Sequence, residues 1–237
     1  MSSQVPQSAQ SQETSPGASR PTVTSTDPTT STSDHDASGG QSAAAASAAA
    51  ELASAKVILY DALRRFVDFP IKGIVFIDIM PIFSNPTAHA SLLRALELQA
   101  LHFKTPSGAS IPKVDVVIGL DARGFLFGPG LALRLGAGFA AVRKQGKLPG
   151  PCVTASYEKE YGADYFQIQE DAIKPGQKVL IVDDIIATGG SAAAAGELVR
   201  KLGGDLLGYL FILEISFLKG REKLGDVPVI TLLEEAE

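Results

Sequence analysis

The chain has no tryptophan, one cysteine, two methionines and three histidines in 237 residues. With Cys152 alone, no intramolecular disulfide framework can form, which suits a reducing compartment, and a cytoplasmic location is expected. His35, His89 and His102 are scattered without metal-ligand spacing. An excess of positive charge is also lacking: 21 Lys and Arg stand against 26 Asp and Glu, a formal net charge of -5. A partner held mainly through phosphate neutralisation, such as duplex nucleic acid, is therefore not expected. No apolar run reaches the ~18 to 20 residues that a membrane span needs. The stretch Leu206 to Leu213 is stopped by Glu214, and no membrane association is expected.

What is present divides the chain in two. Residues 1–50 are dominated by Ser, Thr, Ala, Gln, Gly and Pro, with no aromatic residue and no Leu or Ile. Such a segment cannot bury enough apolar surface to offset its ordering entropy, so a disordered low-complexity tail is expected. Within it, Ala43 to Ala50 has the composition of a nascent helix leading into the next element. Arg20 is its one basic residue, against Glu13, Asp27, Asp34 and Asp36, the reverse of a transit peptide. Residues 51–237 read as one domain of alternating helical and strand-like segments. Helical spacing covers Leu52 to Phe66, Thr87 to Leu101, the stretch ending at Leu135, and Ser191 to Leu202. Short apolar runs at Val114–Gly119, Phe139–Val142, Lys178–Val182, Leu207–Glu214 and Val227–Leu233 read as strands, and Ile74–Ile79 as a strand or buried loop. This alternation implies an α/β fold, a mainly parallel sheet flanked by helices, with ligands at the carboxyl ends of the strands.

The loop after Lys178–Val182 carries the densest chemistry. An apolar strand delivers Asp183 and Asp184, then the small residues Ala187-Thr188-Gly189-Gly190-Ser191, and a helix begins. Backbone N–H groups of a Gly-rich turn at a helix N-terminus form an anion site, and glycine lets the backbone approach a phosphate. Thr188 and Ser191 add hydroxyls, and two carboxylates just upstream suit the two hydroxyls of a ribose whose 5′-phosphate lies in the turn. A plainer reading, a capping turn with Ser191 as N-cap and two exposed aspartates, accounts for the glycines and serine but not for the paired acids. The pattern lacks the Lys-Ser/Thr of an ATP loop and the Gly-x-Gly-x-x-Gly of a dinucleotide site.

Four apolar residues, two acids and Thr-Gly-Gly-Ser resemble the phosphoribosyl-pyrophosphate motif of type I phosphoribosyltransferases. The other segments, over residues 57–236, narrow the resemblance to the adenine phosphoribosyltransferases. It implies that fold, with a small hood and a mobile loop, and transfer of the phosphoribosyl group of 5-phosphoribosyl 1-pyrophosphate to adenine, giving AMP and pyrophosphate. It further implies Mg²⁺ and a homodimer. Gly119-Leu-Asp-Ala-Arg-Gly-Phe125 is similar to the family's pyrophosphate loop, with Asp121, Ala122 and Arg123 as its contacts and a cis peptide at Asp121–Ala122. Ala122 stands where the family more often has Ser. Arg143, Lys144 and Lys147 concentrate positive charge in an acidic chain; the resemblance assigns them to pyrophosphate, partly across the dimer interface. Residues 144–162 are expected to close over the site. The resemblance maps the catalytic carboxylate onto Glu160, beside the purine N7, where it would handle the proton lost as N9 bonds to C1′. Adenine is assigned to Phe76, the backbone of Val75 and Ile77, and Ile215 on the opposite face. Many relatives have Arg at the position of Ile77, so recognition there falls to the backbone. Phe217 to Leu224 matches the family but is read as structural.

Other functions remain open on the sequence. A phosphoribosyltransferase for guanine or xanthine would be expected to present a lysine to the 6-oxo group, where this chain has Val75–Ile77. A regulatory binding module would carry a nucleic-acid domain or basic face. A pseudoenzyme would lack Asp183-Asp184 or Glu160.

Overall fold

The computed structural model describes residues 37–101, 103, 113–159 and 162–235. It opens with helix α1, Ala37–Ala62, which runs through the boundary drawn at residue 50 because alanine is the best intrinsic helix former. The expected helix to Phe66 ends four residues early. Arg64–Val67 (β1) instead pairs antiparallel with Val75–Asp78 (β2) as a separate two-stranded ribbon. Contrary to the expectation of no membrane-length run, Ala43–Ala62 within α1 is 20 residues with a mean hydropathy of 1.2, long and apolar enough to cross a bilayer. Its apolarity is largely alanine, and Ala55 and Leu59 pack into the core. On the same side, Glu51 accepts two hydrogen bonds from Arg94, 2.8 and 2.9 Å. Two helices follow the ribbon, Met80–Ser84 (α2) and Pro86–Leu101 (α3).

The main sheet is built from Val116–Leu120 (β3), Gly138–Lys144 (β4), Cys152–Lys159 (β5), Gly162–Gln169 (β6), Lys178–Ile186 (β7), Asp205–Ile215 (β8) and Val229–Glu235 (β9), in the order β5-β6-β4-β3-β7-β8-β9. Strands β4, β3, β7, β8 and β9 are mutually parallel; β5 and β6 add an antiparallel hairpin at one edge. Helix α4 (Gly124–Leu135) connects β3 to β4, and α5 (Gly190–Lys201) connects β7 to β8. Two cores form on opposite faces of the sheet. Val117, Leu180, Val182, Leu210 and Ile212 join α1, α3 and α4 on one, while Ile118, Val179, Ile181 and Phe211 join α5 on the other. Each of these side chains contributes about 1.5–3 kcal/mol by burial. This double covering is why the parallel strands read as continuous apolar runs.

Two expectations change here. The stretch 144–162, expected as one mobile closing loop, is largely strand over Cys152–Lys159. Its polar residues alternate with apolar ones: Ala155 is buried, Ser156 is exposed, and the Tyr157 ring lies 4.7 Å from that of Phe166 on β6. The strand expected to end at Val182 continues to Ile186, so Asp183 and Asp184 lie inside β7, with Asp183 registered opposite Phe211. The longer β8 supplies the ladder that extends it.

Candidate active site

The carboxyl ends of β3, β4, β7 and β8 point the same way, and the predicted loops leave from them. After β3 the peptide Asp121–Ala122 is cis, as the resemblance implies. Arg123 is half exposed, and its Nε lies 2.5 Å from Oδ2 of Asp184. That Oδ2 is buried and makes no hydrogen bond, so the contact is an ion pair without hydrogen-bond alignment. At the end of β4, Arg143 donates to Oδ2 of Asp121 at 3.2 Å and to the carbonyl of Lys147 at 3.0 Å. Lys144 and Lys147 are exposed beside it. The structure thus places two ion pairs, Arg143–Asp121 and Arg123–Asp184, across three strand ends.

Asp184 is 3% exposed and Asp183 half-buried, which removes the reading of two exposed acids. Burial, followed by the charge of Asp184, pushes Asp183 well above the usual carboxylate range. Burial raises Asp184 as well, against the pull of the Arg123 guanidinium. Adjacent carboxyls in a low-dielectric setting resist double ionisation, so the pair is poised to accept hydrogen bonds from hydroxyls or to face a cation.

Just beyond, Gly189 rather than Ser191 caps α5, in the left-handed region at φ 76° and without a side-chain cap bond. A Cβ on Gly189 would lie 2.2 Å from the carbonyl oxygen of Gly220, which demands glycine for space as well as conformation. Thr188 is exposed, and Ala187, Gly190 and Ser191 are partly so, at the N-terminus of α5. Tyr157 donates to Asp164 at 3.0 Å and meets Ser191. Burial and the Asp164 hydrogen bond push its hydroxyl up to about 12.

The candidate base site lies at the ribbon. Val75 is exposed, Phe76 is partly buried with the Phe69 ring edge-on at 5.2 Å, and the Ile77 side chain is in the core, so only its backbone is free for recognition. Arg65, registered opposite Ile77, donates to Glu235 at 3.0 Å, and Glu235 is registered opposite Ile215. These links tie the ribbon to the edge of the main sheet beside Ile215. Burial raises Asp78 at the ribbon's end, but the Met80 N–H, Arg64 and Arg123 outweigh it and hold the carboxyl below its ordinary value. Glu160 lies outside the described residues. Among the described residues no three His, Cys, Asp or Glu side chains cluster to hold a metal. Two residues of the site are not evident from the sequence pattern: Tyr157, which alternation in Ala155–Lys159 could have placed on a strand, and Gly220, whose signal is a glycine within Lys219–Leu224.

A model of the phosphoribosyl transferase domain matches residues 110–214. The adenine phosphoribosyltransferase of Yarrowia lipolytica is 61% identical over 175 residues, 74% of this chain and 93% of the relative. The crystal structure of the Saccharomyces cerevisiae adenine phosphoribosyltransferase, complexed with an imino-altritol bisphosphate and adenine, is 55% identical, with a TM-score of 0.71 over 76% of this chain and 99% of its own. The Trypanosoma brucei enzyme, in complex with AMP, pyrophosphate and ribose-5-phosphate, is 26% identical, with a TM-score of 0.67 over 76% and 79% of the two chains. With a relative 61% identical over 93% of its own length, the chain belongs to the adenine phosphoribosyltransferase family.

Proposed function

We infer that this chain transfers the phosphoribosyl group of 5-phosphoribosyl 1-pyrophosphate to adenine, forming AMP and pyrophosphate in purine salvage. The observation that carries the reading is the end of β7, where two adjacent acids, one buried and one half-buried, precede a glycine cradle that opens α5. In the proposed assignment the 5′-phosphate sits on the amides of Ala187–Ser191 with the Thr188 and Ser191 hydroxyls, and Asp183 and Asp184 accept from the ribose hydroxyls. Asp121, Ala122 and Arg123, with Arg143, Lys144 and Lys147, face the pyrophosphate. Arg123 supplies a fork matched to a phosphate anion. Phe76 stacks on adenine, the backbone of Val75 and Ile77 reads its edge, and Ile215 closes the other face.

In a displacement at C1′ positive charge grows on the ribose while pyrophosphate leaves. The fixed cations at the ends of β3 and β4 stabilise that departure, and the apolar ribbon and Ile215 keep water from C1′. The family resemblance places Glu160 at the purine N7, to hold the proton as N9 bonds to C1′. The donor set fits Mg²⁺: the buried Asp184 Oδ2 lacks a hydrogen bond, and this cation is usually held by one or two carboxylates, substrate phosphates and water. Held at Asp183 and Asp184, Mg²⁺ would offset charge on the pyrophosphate. A homodimer in the cytoplasm completes the proposal, supported by the family assignment and by the reducing compartment that a lone Cys152 suits. Formation of AMP from adenine and 5-phosphoribosyl 1-pyrophosphate, with no product from guanine or hypoxanthine, is the expected assay result. No AMP, or an unchanged rate in Glu160→Ala, would reject the assignment.

A further inference from the structure

The turn after β8 contains a charge network, buried on its Glu214 side and open to solvent at Arg221, that the reaction as described does not use. Glu214, 6% exposed, accepts a fork from Arg221, with Nε 2.7 Å from Oε1 and Nη2 2.5 Å from Oε2. The same guanidinium donates to the carbonyl of Val229 at 2.6 Å and to the Thr231 hydroxyl at 3.1 Å, both on β9. Thr231 in turn donates to Glu214 at 3.3 Å. Arg221 is therefore fixed by two strands at once, and so is the residue before it.

That residue is Gly220, at the start of the 3₁₀ turn Gly220–Leu224. It is buried, and its backbone forms the back wall of the cradle. Its carbonyl oxygen lies 2.2 Å from the place a Gly189 Cβ would occupy. A Cβ on Gly220 itself would sit 2.3 Å from the Ala187 carbonyl oxygen and 3.0 Å from the Gly189 nitrogen. Two glycines facing each other allow backbone to meet backbone with no side chain between. Lys219 enters the turn in the left-handed region at φ 53°, so the chain is bent to bring Gly220 there. An ion pair with one partner half in solvent adds little stability, but a forked one defines position well.

We propose that Arg221 is a positioning residue for phosphate binding: clamped by Glu214, Val229 and Thr231, it sets Gly220 against Ala187–Gly189 and so sets the spacing of the cradle amides. The proposal rests on the assignment of the 5′-phosphate to that cradle. The stacking and edge contacts to adenine lie on the ribbon, and Ile215 is held in the β8–β9 ladder opposite Glu235, so a shift of Gly220 is felt chiefly by the phosphorylated substrate.

The test is steady-state kinetics on the full chain with Arg221→Lys, Gly220→Ala and, within the cradle, Thr188→Val. Lysine keeps a charge beside Glu214 but loses the fork. Misplacement of about 1 Å can cost on the order of 10²-fold. The expected result is a loss of that order in kcat/KM for 5-phosphoribosyl 1-pyrophosphate, carried by KM, with KM for adenine within about twofold and weaker binding of ribose 5-phosphate. Should Gly220→Ala not fold, Arg221→Lys carries the same readout. If Thr188→Val raises KM while Arg221→Lys and Gly220→Ala lower only the melting temperature, or raise both KM values alike, the positioning role is overturned and the cradle stands. If Thr188→Val also leaves KM for 5-phosphoribosyl 1-pyrophosphate unchanged, the cradle assignment falls, and the positioning role with it.

Discussion

At the end of β7 the backbone of Gly189 is wedged against Gly220 and Asp184 is 3% exposed. Along the β1–β2 ribbon, by contrast, Phe66, Val67, Phe69 and Val75 are 46, 72, 53 and 48% exposed. The first region is finished before any ligand arrives. Its amides are held by glycine contacts and by strands buried on both faces, so a phosphate meets a site whose ordering has already been done. The second is a small two-stranded sheet with apolar side chains in water, which gain burial when a flat aromatic base covers them. The difference teaches where damage should register. Changes at the cradle act on folding and on the phosphorylated substrate together, whereas changes at the ribbon act on adenine alone.

The strongest way to break this comparison is Gly189→Ala. The left-handed backbone alone costs roughly 1–2 kcal/mol, and the clash with Gly220 adds to it. Urea unfolding should show at least that loss, with kcat/KM down on the order of 10²-fold or more. A variant of wild-type stability and KM would show that the cradle is not preformed. Asp183→Asn comes next, with activity down on the order of 10²-fold but the ligand-free melting temperature raised at pH 7. The sign follows from the raised carboxyl. Stability present below the ordinary value of 3.8 is lost as pH rises through the higher folded value, and asparagine lacks that charge. Melting curves against pH should therefore fall from acid toward neutral in the wild type and flatten in the variant. A lower melting temperature at pH 7 would count against a strained acid pair.

On the ribbon, effects shrink and separate. Phe76→Ala should raise KM for adenine roughly tenfold, since stacking of a base on an aromatic ring contributes about 1–3 kcal/mol, while KM for 5-phosphoribosyl 1-pyrophosphate stays the same. A shift in the second KM instead of the first would merge the two regions. Phe69→Ala removes only the edge-on neighbour at 5.2 Å, a contact of about 0.5–1.5 kcal/mol, so a two- to tenfold rise in the same constant is expected.

Much of the architecture is legible in the residue order alone. The apolar runs ending in Gly119, Val142, Asp183-Asp184 and Glu214 name the parallel strands and the loops that leave them, because a strand covered on both faces has no alternative but continuous apolar residues. The hairpin is not legible: Val153 to Glu158 alternates polar with apolar next to Gly and Pro residues, and such a pattern reads equally as loop. Nor is the β1 strand, since Arg64 to Val67 continues the helical spacing of Leu59 and Leu63. The length of α1 is hidden by alanine, which suits a tail and a helix alike.

The residues of the cradle, the acid pair and the basic residues around the end of β4 are written in local order, each within a few positions, because short-range backbone chemistry makes a phosphate site. The tertiary structure alone decided that Arg123 meets Asp184, that Arg65 ties the ribbon to Glu235 beside Ile215, and that Gly220 backs Gly189. Each of these joins residues tens to more than a hundred positions apart, and only packing of the sheet and its turns sets such distances.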